Sequence, residues 1–320
     1  MISPPLGYLD AAGRRSATIL PLTWTMLAIS IAVCVVIGVL LWIALRRARA
    51  NGGAVETRAV AVERGQDGMR WISGGLLISA VPLLVALVWT MVALANVIDP
   101  PRNTRLVLDV TPHQWWWEVK YSSPEPAATF ETANEVHIPV GTPVLIRLHG
   151  ADVIHSFWVP KLSGKTDAIP GQTNVSWIQA DAPGRYRGQC TEFCGFQHAH
   201  MSFEVVAESR PQFDAWRARQ LQPAAAPATP AQMRGLALVE YRCGLCHQVR
   251  GTRAGAISAP DLTHLMSRAG LAAGTLVNNA SNLAGWIQAP QALKPGTLMP
   301  DQHLSGEELA QTVAYLETLQ

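Results

Sequence analysis

Residues 190–201 hold the densest group of metal-binding side chains in this 320-residue sequence. The segment contains Cys190, Cys194, His198 and Met201. Thiolate, imidazole and thioether groups together favour copper, zinc or iron over calcium and magnesium. The segment therefore predicts a soft-metal site.

The two cysteines of this segment are spaced so that both can serve one site. Their sulfurs can point into one pocket if the chain between them bends, and two bridging thiolates can hold two metal ions close together. Each metal then needs a further ligand, and His198 and Met201 lie in the same loop. His155 is the leading candidate from elsewhere because it ends a predicted strand. A disulfide between Cys190 and Cys194 is the alternative.

A second metal signature is Cys-x-x-Cys-His at Cys243, Cys246 and His247. This is the attachment motif for c-type haem, in which the cysteines form two thioethers and the histidine ligates the iron. A zinc half-site or a thioredoxin-like pair is the alternative, but the sequence lacks the second cysteine pair or the βαβ frame that these need. The motif predicts a covalently bound haem.

The second axial ligand of that haem is less determined by spacing. Met299 lies in a Pro- and Gly-containing loop downstream of the motif, and a methionine sulfur there would raise the reduction potential relative to a second histidine. His264, His303 and Met266 are rival ligands.

Two long apolar stretches precede these motifs. Residues 16–45 and 71–98 contain no charged side chain, and each exceeds the roughly 20 residues that cross a bilayer. The connector between them is rich in arginine, which places it in the cytoplasm and both ends outside. We interpret the first stretch as a retained span, because it ends in two arginines without a small-residue cleavage site.

The remaining chain separates into two further units. Between residues 102 and 208, short alternating runs separated by Pro, Gly and Asp predict a β-sandwich or small barrel. Residues 222–230 form a Pro/Ala linker. A last, helical unit begins with a capping box at Thr229 and Gln232 and ends in a helix opened by Ser305 and Glu308. A unit this small would gain a core from a covalent haem.

The motifs together resemble cytochrome c oxidase subunit II. The resemblance rests on Cys-x-Glu-x-Cys-Gly-x-x-His-x-x-Met from Cys190, on the upstream His155, on residues 165–171 and on the aromatic segment 113–117. The last unit resembles a class I cytochrome c, as in oxidases whose subunit II carries a fused cytochrome. The resemblance implies a multidomain membrane protein with a transmembrane helical hairpin, a cupredoxin-like β domain and a small all-α cytochrome c domain.

By this resemblance the chain divides into five segments. Residues 1–22 are an outer tail, 23–98 two transmembrane helices with a cytoplasmic connector, 99–210 the cupredoxin-like copper domain, 211–229 a helix and linker, and 230–320 the cytochrome c domain. The localisation implied is the bacterial inner membrane, with the copper and haem domains on the periplasmic face.

The resemblance also implies residue roles. The expected centre is binuclear copper (CuA), bridged by two cysteines and completed by two histidines, a weak methionine and the backbone carbonyl of Glu192. Its ligands are His155, Cys190, Glu192, Cys194, His198 and Met201. The Glu192 side chain is implied to help bind magnesium at the interface with subunit I. Lys165 and Asp167 would lie near that subunit. Trp115 is implied as the point of electron input, a role that the fused haem could take over.

For the haem, the resemblance supports Cys243, Cys246 and His247 with Met299 as the second axial ligand, and Pro260 and Trp286 packed around it. The expected function is electron input to a haem–copper terminal oxidase. Electrons from an outside cytochrome c or similar donor would pass through haem c and copper to haem in subunit I, where oxygen is reduced. Subunit III is a further expected partner. A net charge of +2 gives no reason to expect nucleic acid.

Three alternative functions are also consistent with parts of the sequence. A quinol oxidase subunit II would share the fold without copper, a copper-delivery protein would use two cysteines and a distant histidine, and nitrous oxide reduction would need a large propeller domain. The complete ligand pattern argues against the first two, and the sequence has no such propeller.

Overall fold

The computed structural model describes residues 6–50, 66–102 and 104–320. The chain divides into two compact units, one formed by Met1–Ser16 with Pro100–Gln320 and the other by Ala17–Asp99. The predicted cytoplasmic connector lies mostly outside the described residues.

Two long helices account for the apolar stretches. α1 spans Arg14–Ala50 and α2 spans Gln66–Ile98. Both are long and apolar enough to cross a membrane, with windows of mean hydropathy 2.9 and 2.4. α1 begins at Arg14, within the segment expected to be a tail, and it contains Pro21.

Ten strands form two five-stranded sheets. The strands are β1 (Leu106–His113), β2 (Trp116–Tyr121), β3 (Phe130–Ala133), β4 (Glu135–Pro139), β5 (Val144–His149), β6 (His155–Trp158), β7 (Thr166–Ala168), β8 (Thr173–Ile178), β9 (Gly184–Cys190) and β10 (Ser202–Glu208). One sheet has the order β3-β2-β1-β5-β8 and the other β4-β10-β9-β6-β7. β1 pairs parallel with β5, and β4 pairs parallel with β10.

The two sheets enclose one apolar core. Val144, Ile146 and Leu148 alternate along β5 and are fully buried, as period-2 patterning requires. Trp117 of β2 contacts Phe203 of β10 across the sheets, with ring centroids 4.9 Å apart. This is the β-sandwich that the alternating runs predict, and it agrees with the cupredoxin-like domain that the resemblance implies.

One expectation about strand ends was wrong. His155 begins β6, whereas it was expected to end a strand. β5 ends at His149, and the chain bends at residues 151–153, where the Asp152 carboxylate accepts a hydrogen bond from the Val153 amide at 2.7 Å. Gly150 lies so close to Pro170 that a Cβ there would be 2.5 Å from the Pro170 nitrogen. The bend turns His155 into the interior.

The helix after the sandwich belongs to its core. α3 spans Arg210–Gln220 and begins with a capping box at Ser209 and Gln212. Its buried Phe213 and Trp216 pack in the β-domain core. The Trp216 ring stacks on His137 at a centroid distance of 4.0 Å.

The last unit has four α-helices around a second core, and a π-helical segment, Val239–Cys243, continues the first of them into the haem motif. The four α-helices are α4 (Pro230–Leu238), α5 (Ala280–Gln288), α6 (Pro290–Leu293) and α7 (Gly306–Leu316). The capping boxes at Thr229 and Ser305 both form as predicted. α4 approaches α7 closely at Gly235, where a Cβ would be 2.0 Å from the Gln311 carbonyl oxygen.

The all-α expectation for this unit needs one amendment. Residues Gly270–Leu271 (β11) and Leu276–Val277 (β12) form a small antiparallel ribbon. Its turn uses positive φ at Ala272, Ala273 and Gly274. Because two of these residues are alanines, the turn carries little of the glycine signal that identifies such hairpins in a sequence.

Candidate metal centres

The two cysteines of the first motif lie side by side in the interior. Cys190 ends β9 and Cys194 follows in the next loop, and they are 1% and 2% exposed. Their Sγ atoms are 3.8 Å apart, and both thiols are free. A disulfide needs a separation near 2.05 Å, so the disulfide alternative does not describe this structure.

Four further donor atoms converge on the sulfur pair. The Cys190 sulfur lies 3.8 Å from His155 Nδ1 and 3.3 Å from the Glu192 carbonyl oxygen. The Cys194 sulfur lies 3.6 Å from His198 Nδ1 and 3.9 Å from Met201 Sδ. The structure thus brings together all six atoms expected as copper ligands, from β6, β9 and the loop that enters β10.

The pKa values of Cys190 and Cys194 are consistent with a site that binds metal cations. The hydrogen bond from Cys194 lowers the pKa of Cys190 to about 4, although burial acts in the opposite direction. The same shared proton, together with burial, raises the pKa of Cys194. Two adjacent buried thiolates therefore repel each other strongly, and metal cations would remove that repulsion.

His155 is oriented by a carboxylate that sequence reasoning missed. Its Nε2 lies 2.8 Å from Asp152 Oδ1. Asp152 also accepts hydrogen bonds from the backbone amides of Gln114 and Val153. A carboxylate on the far nitrogen fixes the imidazole so that Nδ1 faces the sulfurs. The only signal in the sequence was an aspartate three positions before a candidate ligand.

The loop between the ligands is held by the aromatic segment. The Cys194 carbonyl accepts hydrogen bonds from Gln114 Nε2 at 2.7 Å and from Trp115 Nε1 at 3.0 Å. Gly195 has φ +114°, and a Cβ there would lie 3.0 Å from Gln114 Nε2 and 3.1 Å from Trp115 Cζ2. Trp115 itself is buried, with 8% of its surface exposed.

The side chain of Glu192 belongs to a group of charged side chains. It is partly exposed and lies 3.4 Å from Lys165 Nζ, which also contacts Asp167 at 3.0 Å. These three residues form an exposed charged group beside the copper loop.

The histidines without an expected ligand role have ordinary partners. His113 contacts Glu118, His137 contacts Glu135 and Glu208, His149 contacts Asp109, and His200 contacts Gln197. None of these contacts involves the sulfur pair.

The haem motif has the chemistry to hold its group. Cys243 and Cys246 are free thiols, and Cys246 is exposed. His247 Nδ1 donates to the Pro260 carbonyl at 2.7 Å, so the proton is on Nδ1 and the Nε2 lone pair is the one that can ligate iron. Burial lowers the pKa of His247, so its ring is neutral as an iron ligand must be.

Exposed apolar side chains lie within the motif and in two further loops of the same unit. Leu245 lies inside it, Leu298 precedes Met299, and Ile257 precedes Ser258, whose hydroxyl donates to the Cys246 carbonyl. Leu298 is 88% exposed. An exposed leucine inside the attachment motif fits a large apolar group that covers it.

Two of the residues that compete with Met299 as the second axial ligand have other contacts. Both ring nitrogens of His264 contact backbone carbonyls, those of Gln320 and Gln222. Met266 packs against the second core. His303 is exposed. The loop around Met299 is fixed by Gln291 Nε2, which donates to the Thr297 and Met299 carbonyls at 2.7 Å each.

Comparison with known proteins gives the family. The family described as "Cytochrome C oxidase subunit II, periplasmic domain" matches residues 124–209, and "Cytochrome c" matches residues 232–320. Cytochrome c oxidase subunit 2 of Bacillus sp. (strain PS3) is 34% identical over 258 residues, covering 76% of this chain and 70% of the relative. The chain belongs to the cytochrome c oxidase subunit II family.

Other subunit II proteins are similar. That of Alkalihalophilus pseudofirmus is 40% identical over 224 residues, covering 69% of this chain but less than two thirds, 64%, of the relative's length. A solved structure, the periplasmic domain of subunit II of cytochrome oxidase (CoxB) of Bradyrhizobium japonicum, is 32% identical with a TM-score of 0.35. It covers 37% of this chain and 94% of that one.

Several expectations are thereby confirmed for this subunit II chain: the family, the fold class and membership of an oxidoreductase. The two matched families imply copper and haem as cofactors. Two apolar helices together with an outer-face domain indicate a membrane protein.

Proposed function

We propose that this subunit II chain delivers electrons from an outside donor, through a haem on Cys243, Cys246 and His247 and a copper pair, to haem in subunit I. The observation that carries the proposal is the convergence of four donor atoms on the two adjacent sulfurs, at 3.3–3.9 Å. Oxygen reduction belongs to subunit I, so this chain alone should not reduce oxygen.

The proposed copper ligands are His155, Cys190, Glu192, Cys194, His198 and Met201. When bound, a copper pair shared by two thiolates takes up and releases one electron without forming or breaking a covalent bond. The chain contributes a preorganised set of ligands. Cys190 and Cys194 would supply the thiolate charge that holds the copper, Asp152 orients one imidazole, and burial of both cysteines would exclude water.

For the haem we propose thioethers to both cysteines, His247 as one axial ligand and Met299 as the other. The Pro260 carbonyl fixes the His247 tautomer, and Gln291 holds the backbone of the opposite loop. A sulfur ligand would make the haem a stronger oxidant than a second histidine would.

Partners follow from the family. A haem–copper subunit I is the acceptor, and we propose a cytochrome c or similar protein as donor, with subunit III in the complex. The exposed group of Lys165, Asp167 and Glu192 would face subunit I, where the Glu192 carboxylate would help bind magnesium. We place the protein in a bacterial inner membrane with its redox domains outside.

A copper-delivery role fits the site less well. Delivery needs a site that releases its metal readily, whereas His155, Cys190, Cys194 and Met201 are buried and the donors come from three segments of the β domain. Resistance of the bound copper to a strong chelator would count against delivery.

The proposal is tested by electron paramagnetic resonance of the purified chain loaded with copper. A delocalised pair gives a multi-line spectrum from two equivalent nuclei, and Cys194→Ser should replace it with that of a single copper ion. His200→Ala is the matched control, because His200 lies in the same loop but contacts Gln197. A single-ion spectrum from the unaltered chain would refute the copper assignment.

A further inference from the structure

Lys294 is a lysine in an unusual place. The sequence has four lysines, and this one, in the loop that leads to Met299, is only 2% exposed. The side chains of Lys120 and Lys165 are 43% and 51% exposed and pair with carboxylates. Burying an ammonium group costs free energy unless hydrogen-bond acceptors surround it, so the acceptors around this amine indicate what it does.

Three backbone carbonyls surround the amine. Lys294 Nζ donates to Trp115 O at 2.9 Å, to His200 O at 2.8 Å and to Ala272 O at 2.8 Å. Among the described residues, no carboxylate lies within salt-bridge distance of it. Burial lowers the pKa of Lys294 to about 7, and the charge of the nearby Cys194 acts in the opposite direction. The three carbonyl acceptors match in number the three N–H groups of an ammonium.

These carbonyls come from both redox domains. Trp115 and His200 belong to the copper domain, whereas Ala272 lies in the ribbon turn of the cytochrome domain. Other contacts join the same surfaces. Gln197 Nε2 donates to Pro295 O at 2.8 Å, and the Ser202 hydroxyl donates to Ala273 O at 3.0 Å. The lysine therefore sits at the centre of an interdomain contact.

The loop from Lys294 to Met299 packs directly against Trp115. A Cβ at Gly296 would be 3.6 Å from Trp115 Cη2. The indole Nε1 of the same residue donates to the carbonyl of Cys194. Successive contacts thus run from the backbone of the Met299 loop to the Trp115 indole ring and on to Cys194 of the copper site.

We propose that Lys294 is a positioning residue that fixes the Met299 loop on Trp115, so that the fused haem and not a separate donor uses this tryptophan. The inference rests on the proposed function. Since the docked loop buries Trp115, an external protein has no access to that ring, and electrons reach the copper site through the cytochrome domain. The domains need no rearrangement before each transfer.

The test uses Lys294→Met in the intact oxidase complex, with Lys120→Met as the matched control on the exposed side of β2. Methionine keeps the chain volume and removes the donors. Hydrogen exchange should increase in residues 195–202 and 269–274 of the variant alone. Transfer from photoreduced haem to copper should slow by about ten-fold, because hydrogen bonds to a charged group are lost, and should become dependent on solvent viscosity.

Two results would overturn the inference. One is a Lys294→Met complex with unaltered exchange and transfer rate. The other, which needs no variant, is a viscosity-dependent rate in the unaltered complex, because a docked loop requires no domain motion. If the variant does not assemble, this second measurement decides. Failure of the proposed function itself would look different: the unaltered complex would lack the copper-pair spectrum or transfer no electron from haem to copper.

Discussion

The Asp152 carboxylate holds His155 Nε2 at 2.8 Å, while Nδ1 of the same ring faces the Cys190 sulfur at 3.8 Å. This relationship couples a partly exposed acid to a fully buried imidazole. A carboxylate in that position fixes the ring and increases its basicity as a ligand.

Replacing Asp152 should therefore weaken copper binding. We expect Asp152→Asn to lower copper affinity by about 10–100-fold, the usual effect of removing such a partner. Competition with a chelator measures it. Asp109→Asn is the control, since Asp109 pairs with Arg147 and His149 and does not contact the ligands. Equal affinities in the two variants would contradict this role for Asp152.

Gly195 should tolerate no side chain. Its φ is positive, and a Cβ at this position would lie 3.0 Å from Gln114 Nε2. We therefore expect Gly195→Ala to destabilise the loop by about 1–3 kcal/mol and to reduce copper loading. Denaturant unfolding and copper stoichiometry report the two effects. Gly164→Ala, where a Cβ would meet nothing within 4 Å, should change neither. Full loading of Gly195→Ala would show that the loop can adapt.

Met299 should control the haem potential. Met299→Ala is expected to lower the reduction potential of the haem and remove its sulfur-to-iron absorption, because a strong-field sulfur ligand is lost. Redox titration followed by visible spectroscopy measures both. Met266→Ala serves as control, since Met266 is partly buried against the core of the same domain and should affect stability alone. A lowered potential in Met266→Ala but not in Met299→Ala would reverse the assignment.

His137 should make folding stability depend on pH. Burial lowers the pKa of His137, but hydrogen bonds and charges from Glu135 and Glu208 outweigh it and raise the pKa overall. A raised folded pKa contributes stability that is complete below about pH 6.5 and is lost as pH rises through the folded pKa. We expect the free energy of unfolding to fall as pH rises. The His137→Gln variant should lose this pH dependence, and its free energy of unfolding at low pH should be lower by about 2 kcal/mol.

Denaturant unfolding of the chain in detergent at a series of pH values tests this. His113→Gln is a close control, because His113 also pairs with a carboxylate and stacks on a tryptophan, but its side chain is 27% exposed. It should leave the slope in place. A slope that survives in His137→Gln would assign the pH dependence to another group.

Local spacing in the sequence was sufficient for much of this molecule. The Cys190–Met201 segment, the Cys-x-x-Cys-His motif and the capping boxes at Thr229 and Ser305 each lie within a dozen residues, so composition and order predict them directly. Charge-free length predicted α1 and α2, and alternation predicted strands such as β5. These features depend on periodicity and on short-range chemistry.

Other features depended on chain segments that meet only in the folded protein. The sequence named His155 as a ligand but placed it at the wrong end of a strand and missed Asp152 behind it. Lys294 reaches Trp115 across 179 positions, and the turn of the ribbon that supplies the Ala272 carbonyl has alanine at two of its three positive-φ positions. Residue type does not reveal such partners, because backbone carbonyls are present at every position and only tertiary packing selects three of them to surround one buried amine.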